Sequence, residues 1–135
     1  MMYTVYGKPR KISTELLDRA LVFASEFLDL DTDLDIDFED EFDKGKCGYC
    51  DIDDGHITVF INPKMTKKEI VATLFHELVH ARQIVRKELV PQDGLPSKWM
   101  GRIFRDHFEM PYEELPWEKE AYHLEDQMMR SFKPL

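Results

Sequence analysis

The sequence predicts an α+β fold, on three observations. Apolar residues recur at helical spacing in three stretches, near the N-terminus, in the middle and at the C-terminus. Between the first two, apolar and polar residues alternate with period two, the pattern of half-buried strands. Asp54-Gly55 then supplies a tight hairpin, because both central positions of a type I′ turn need positive φ. The expected architecture is an N-terminal helix, a small three-stranded sheet with that hairpin, a long central helix and a C-terminal helix. At 135 residues the chain suits one domain, 1–135, better than two.

Residues 1–12 read as an arm or a short first strand ending at Gly7 and Pro9. Ser13 and Thr14 are good N-cap residues, and Leu16, Leu17, Ala20, Leu21, Phe23, Ala24, Phe27 and Leu28 set a first packing helix from about 14 to about 29. Leu34, Ile36 and Phe38 alternate with Asp33, Asp35 and Asp37, which gives a strand with one solvated face. Asp31, Asp33 and Asp35 have the opening spacing of a calcium loop. The sixth position is Ile36 where glycine is needed, however, and the twelfth is Phe42 where a bidentate Glu belongs. Tyr49–Asp53 and His56–Ile61 flank the Asp54-Gly55 turn as paired strands, and Asn62-Pro63 ends the second.

Thr66 and Glu69 form a capping box for the central helix, expected over 67–88 with Ile70, Val71, Leu74, Leu78, Ile84 and Val85 facing the core. Beyond Val90-Pro91 a turn-rich segment runs through Gly94 and Pro96 to residues 98–104, which read as a short hairpin or a lid. Pro116 opens the last helix, with Trp117, Ala121, Leu124, Met128 and Phe132 at helical spacing.

The formal net charge is −9, which counts against a dedicated nucleic-acid binder, since such proteins need excess Lys and Arg to displace phosphate counterions. No run approaches the roughly 20 apolar residues of a membrane span, and the N-terminus lacks the order of a signal peptide. A cytoplasmic location is the expectation. The two cysteines, Cys47 and Cys50, cannot build a disulfide framework and fit a reducing compartment. Their C-x-x-C spacing enters a strand, whereas redox chemistry wants the first Cys at a helix N-terminus. A structural role at the sheet edge is expected.

The chemistry centres on His76-Glu77-Leu78-Val79-His80, an H-E-x-x-H motif in the central helix. Successive helical residues turn by about 100°, so residues four apart lie one above the other, and two imidazoles so placed can share one metal ion. Zinc suits imidazole nitrogen, and Glu77, on the neighbouring turn, is placed to act on water rather than on the metal. Hydrolytic zinc usually has three protein ligands and a water, so a third must come from elsewhere. The candidates are Glu118, Glu120, His123 and, further back, His107. Measured from the centre of the apolar stripe of the last helix, Glu120 lies at roughly 70°, Glu118 at roughly 90° on the other side and His123 at roughly 130°. Glu120 is therefore the expected third ligand.

H-E-x-x-H followed on a later helix by Glu120-Ala121 resembles the gluzincin zinc metallopeptidases, and the order of elements resembles their compact members, the minigluzincins. The stretch from His56 through Asn62-Pro63 to His80 is also similar to SprT-like and ImmA/IrrE-like proteins. Trp99-x-Gly101 through Pro116-Trp117-Glu-x-Glu120-Ala121-Tyr122 resembles small phage proteins of this type. The likeness covers most of residues 50–125, and only the zinc motif in it is specific. It implies His76, His80 and Glu120 as zinc ligands and Glu77 as general base. Two departures stand out: Gln83 and Arg86 occupy the places of the metzincin glycine and third histidine, and Leu124 stands where a gluzincin has an acid.

The expectation is a zinc-dependent peptidase-like hydrolase acting on protein or peptide, with an oxyanion donor from among Tyr112, Tyr122, His107 and Arg102. Two alternatives accompany it. One is a metal-binding regulatory or interaction protein without turnover, against which the presence of Glu77 argues. The other is a SprT-like DNA-associated protease, which would need a basic surface.

Overall fold

The computed structural model describes residues 2–7, 9–39, 41–42, 45–92, 97–105 and 109–135. Candidate ligand His107 and the turn residues Gly94 and Pro96 lie outside the described residues. The architecture is α+β, with three α-helices, a mixed four-stranded sheet and a small antiparallel sheet.

Strand β1 (Tyr3–Tyr6) is the first strand, followed by α1 (Thr14–Leu28), β2 (Leu34–Phe38), β3 (Gly48–Asp53) and β4 (His56–Ile61). The sheet order is β1-β2-β4-β3, with β1, β2 and β4 parallel and β3 antiparallel to β4 at one edge. The sheet thus has four strands where the sequence predicts three. The N-terminal arm joins it by parallel pairing with β2, a non-local contact that leaves no periodic signature in so short a run. Asp54 and Gly55 have φ of 49° and 79°, the backbone that the hairpin requires.

Helix α2 (Lys67–Val85) follows, with both halves of the Thr66–Glu69 capping box formed. It ends three residues earlier than the sequence predicts. Lys87 takes φ of 59°, and the amides of Lys87 and Glu88 turn back onto Ile84 O and Gln83 O at 3.0 and 2.9 Å, which closes the helix. Val85, expected in the core, is its last residue and is exposed. Strands β5 (Leu89–Val90), β6 (Lys98–Trp99) and β7 (Arg102–Ile103) make the antiparallel sheet, so 98–104 is a hairpin, turned by Met100 and Gly101. A 3₁₀ turn over Tyr112–Glu114 leads into α3 (Pro116–Ser131).

The inward residues of the large sheet, among them Leu34, Ile36, Val59 and Ile61, are buried against α1 and α2. Along α2, almost every residue from Ile70 to Gln83 is buried, because sheet, α1 and α3 enclose it. A satellite cluster of Leu89, Leu115 and Trp117, with Trp99, Phe104 and Met110, ties the small sheet to the start of α3. Among the described residues no helix is long and apolar enough to cross a membrane.

Candidate metal centre

Four polar groups in this interior need an account: His76, Glu77 and His80 on α2, and Glu118 in the first turn of α3. Burial of such groups is costly unless they are partnered. For His76, His80 and Glu118 the partners are one another. Nε2 of His76 lies 2.9 Å from Glu118 Oε1, and Nε2 of His80 lies 3.2 and 3.1 Å from the two Glu118 oxygens. The ligand atoms of the three all lie within 4.8 Å of one another. Three ligand atoms gathered this closely could hold a metal ion.

The far nitrogens are anchored as well. His76 Nδ1 is 2.9 Å from Glu125 Oε1, and His80 Nδ1 is 2.8 Å from Gln83 Oε1. The Gln83 amide is fixed in orientation, because its nitrogen donates to Trp117 O and to Glu120 Oε1, each at 3.0 Å. Its oxygen must then accept from His80. Both imidazoles thus give an Nδ1 hydrogen to an oxygen, Glu125 for His76 and Gln83 for His80, and turn to the centre an Nε2 that donates to Glu118 here and would have to lose its proton to ligate a metal.

The arrangement brings to the two histidines a different glutamate from the one expected. Glu118, not Glu120, meets His76 and His80. Glu120 is half-buried beside them, holding Gln83 and standing 3.9 Å from Arg82. The wheel ranking failed because α3 has two packing directions. Ala121 and Met128 face the core, while Glu118, Tyr122 and Glu125 form a row at i, i+4 and i+7 that faces α2. That row was present in the sequence as a signal: two carboxylates bracketing an aromatic on one helix face. His123 is exposed and pairs with Gln127 at 3.2 Å.

The electrostatics follow from the packing. Burial raises the Glu118 carboxyl, but hydrogen bonds from His76, His80 and Tyr112 outweigh it and hold the group at about 2. Burial lowers His76, yet the bonds to Glu118 and Glu125 prevail and push it up to about 9. His80 is raised in the same balance, with Glu118 as its main partner. Burial pushes Glu77 up, against the pull of the two histidines. A raised carboxyl is better matched to taking and returning a proton near neutral pH.

A cleft of about 660 Å³ opens beside the centre, lined by Cys47 and Gly48 of the β3 side, by Ala72, Thr73, His76 and Glu77 of α2, and by Tyr112, Tyr122 and Glu125. Gly48 lets α2 approach: a Cβ there would stand 2.5 Å from Phe60 O and 2.7 Å from the Thr73 methyl. Of the oxyanion candidates, Tyr112 and Tyr122 line the cleft; Arg102 lies exposed on β7 and is not among the lining residues. The Tyr122 ring sits 4.5 Å from the His76 ring.

Cys47 and Cys50 are free. Cys50 lies half-buried within the edge strand, its thiol pushed up chiefly by burial, and Cys47 is exposed at the cleft. Comparison with protein-family models, with curated proteins and with solved structures returned no match.

Proposed function

We propose that the chain is a compact gluzincin-type zinc metallopeptidase that hydrolyses protein or peptide substrates, with His76, His80 and Glu118 as metal ligands. The observation that carries the reading is the convergence of His76 Nε2, His80 Nε2 and the Glu118 carboxylate at one buried point, with Glu77 on the same cleft. Two imidazoles and one carboxylate also suit iron(II). The neighbouring Glu77, which no electron-transfer or oxygen chemistry requires, favours hydrolysis.

Zinc, when bound, supplies a Lewis acid that polarises a carbonyl and makes water more acidic. Everything else falls to the chain. Glu77 takes a proton from the attacking water as the C–O bond forms and then delivers it to the amine nitrogen, so that the C–N bond breaks and the amine leaves. Glu125 and Gln83 keep the imidazoles oriented through their Nδ1 hydrogens. Tyr122 presents a phenol to the cleft, where a donor can reach a developing oxyanion, whereas the Tyr112 hydroxyl is given to Glu118. The acidic net charge disfavours a DNA-associated role, and a cytoplasmic setting accords with two free cysteines.

The test is metal analysis of protein purified without added metal, paired with hydrolysis of an unfolded protein such as reduced casein. Stoichiometric zinc and chelator-sensitive cleavage that is lost in Glu77→Gln support the reading. Zinc with no turnover on any unfolded substrate or peptide library would leave a metal-binding protein without catalysis.

A further inference from the structure

The outward face of the large sheet lies away from the metal centre except at one edge, where Lys46 and Tyr49 also line its cleft. Both α1 and α2 lie on the inner face, and mostly parallel sheets are normally covered on both sides. The strand register sets the outer side chains in rows. Tyr6, Asp37, Phe60 and Tyr49 cross the four strands in one row, and Thr4, Asp35, Thr58 and Asp51 in the next. The Tyr49 and Phe60 rings stack at 4.5 Å, and Phe42 adds a third ring 5.8 Å from Tyr49. Tyr6 and Tyr49 are 52% and 44% exposed.

The face is therefore aromatic and acidic together. Among the described residues the bases on or beside it are His56, 2.7 Å from Asp35, and Lys46, which shares a hollow with Glu39, Glu41, Phe42 and Tyr49. Carboxylates that outnumber the bases beside them repel phosphate and attract cations. Spacing selects among cations. A ring, a carboxylate and a ring at successive strand positions match a planar guanidinium, which stacks on one face while its N–H fork bonds the carboxylate; an ammonium offers only a point charge. Three inter-strand steps make the row about 14 Å long, the reach of roughly four extended residues.

We propose that this face docks a short extended segment of a partner protein bearing arginine, with Asp37 and the Tyr6, Phe60 and Tyr49 rings as its seat. The test is a titration of the isotope-labelled full chain with the peptide Gly-Arg-Gly-Arg-Gly-Arg-Gly at physiological salt, followed by backbone NMR, beside the matching lysine peptide. Expected are saturable shifts centred on Tyr6, Asp37, Phe60 and Tyr49, and binding of the lysine peptide weaker by roughly fivefold. Asp37→Asn should weaken the arginine peptide about tenfold, since a charge-assisted bond is lost. Tyr6→Ala, at an exposed position, gives a second reading should the first variant unfold. Shifts spread evenly over all acidic residues, equal affinity for both peptides, or unaltered binding in these variants would overturn the proposal. Concentration-dependent self-association mapping to this face would overturn it too, making a second copy the occupant.

Discussion

His76 Nε2 and Glu118 Oε1 stand 2.9 Å apart although 42 positions separate them in the chain, and this contact joins α2 to α3 through two buried side chains. A metal held there would clamp the two helices, so that its binding free energy becomes folding free energy.

The first expectation separates two neighbouring glutamates. Glu118→Ala should abolish zinc binding measurable in the micromolar range, whereas Glu120→Ala should weaken it about 10- to 100-fold at most, through loosened Gln83. Competition titration with a chromophoric chelator measures both. A larger loss in Glu120→Ala than in Glu118→Ala would restore the ligand set predicted from sequence.

The supports of the imidazoles should behave as a graded series. Glu125→Ala and Gln83→Ala each remove the acceptor of one Nδ1 hydrogen and should lower zinc affinity by about 10- to 100-fold without unfolding the chain. Unchanged affinity in both would mean that the ring orientations are set by packing alone.

The sign of the pH dependence is fixed by the metal-free triad. His76 is raised from 6.5 to about 9, so its contribution to stability is complete below pH 6.5 and is lost as pH rises through about 9. Glu118 is lowered from 4.5 to about 2, so its contribution is present above pH 4.5 and is lost as pH falls through about 2. Thermal unfolding of chelator-treated protein should therefore show this triad contributing most between about pH 4.5 and 6.5. Zinc affinity should run the other way, rising with pH from 6.5 to 9, because protons must leave Nε2 before a metal binds. Calorimetry at pH 7 in buffers of different ionisation enthalpy should register release of about one to two protons per zinc. No proton release would contradict the assigned histidine states.

The cysteines should differ in reactivity. Exposed Cys47 should alkylate with iodoacetamide at an ordinary thiol rate, while Cys50, half-buried and with its thiol pushed up by burial, should react only once the protein unfolds. Peptide mass mapping after timed quenching reads both. Equal rates in the native protein would show that β3 opens locally.

Local chemistry made much of this legible in sequence. H-E-x-x-H picks out His76, Glu77 and His80 because residues and spacing lie within little more than one helical turn, and Asp54-Gly55 names the hairpin because few residues tolerate its backbone. Thr66 and Glu69 mark the start of α2 in the same way. What escaped depends on how separate elements meet. The parallel docking of β1 on β2 is a tertiary choice, and β5, of two residues, is too short to carry a period. Glu118 escaped because a helical wheel with one apolar reference cannot represent a helix that turns one face to a core and another to a polar row on α2.

Zinc-edge anomalous diffraction from crystals of the zinc-loaded protein tests the central claim most directly. The account expects one peak per chain about 2.0–2.2 Å from His76 Nε2, His80 Nε2 and a Glu118 oxygen, with the side facing Glu77 left open to water. A peak held by Glu120 or Cys47 in place of Glu118, or no peak between α2 and α3, would contradict it.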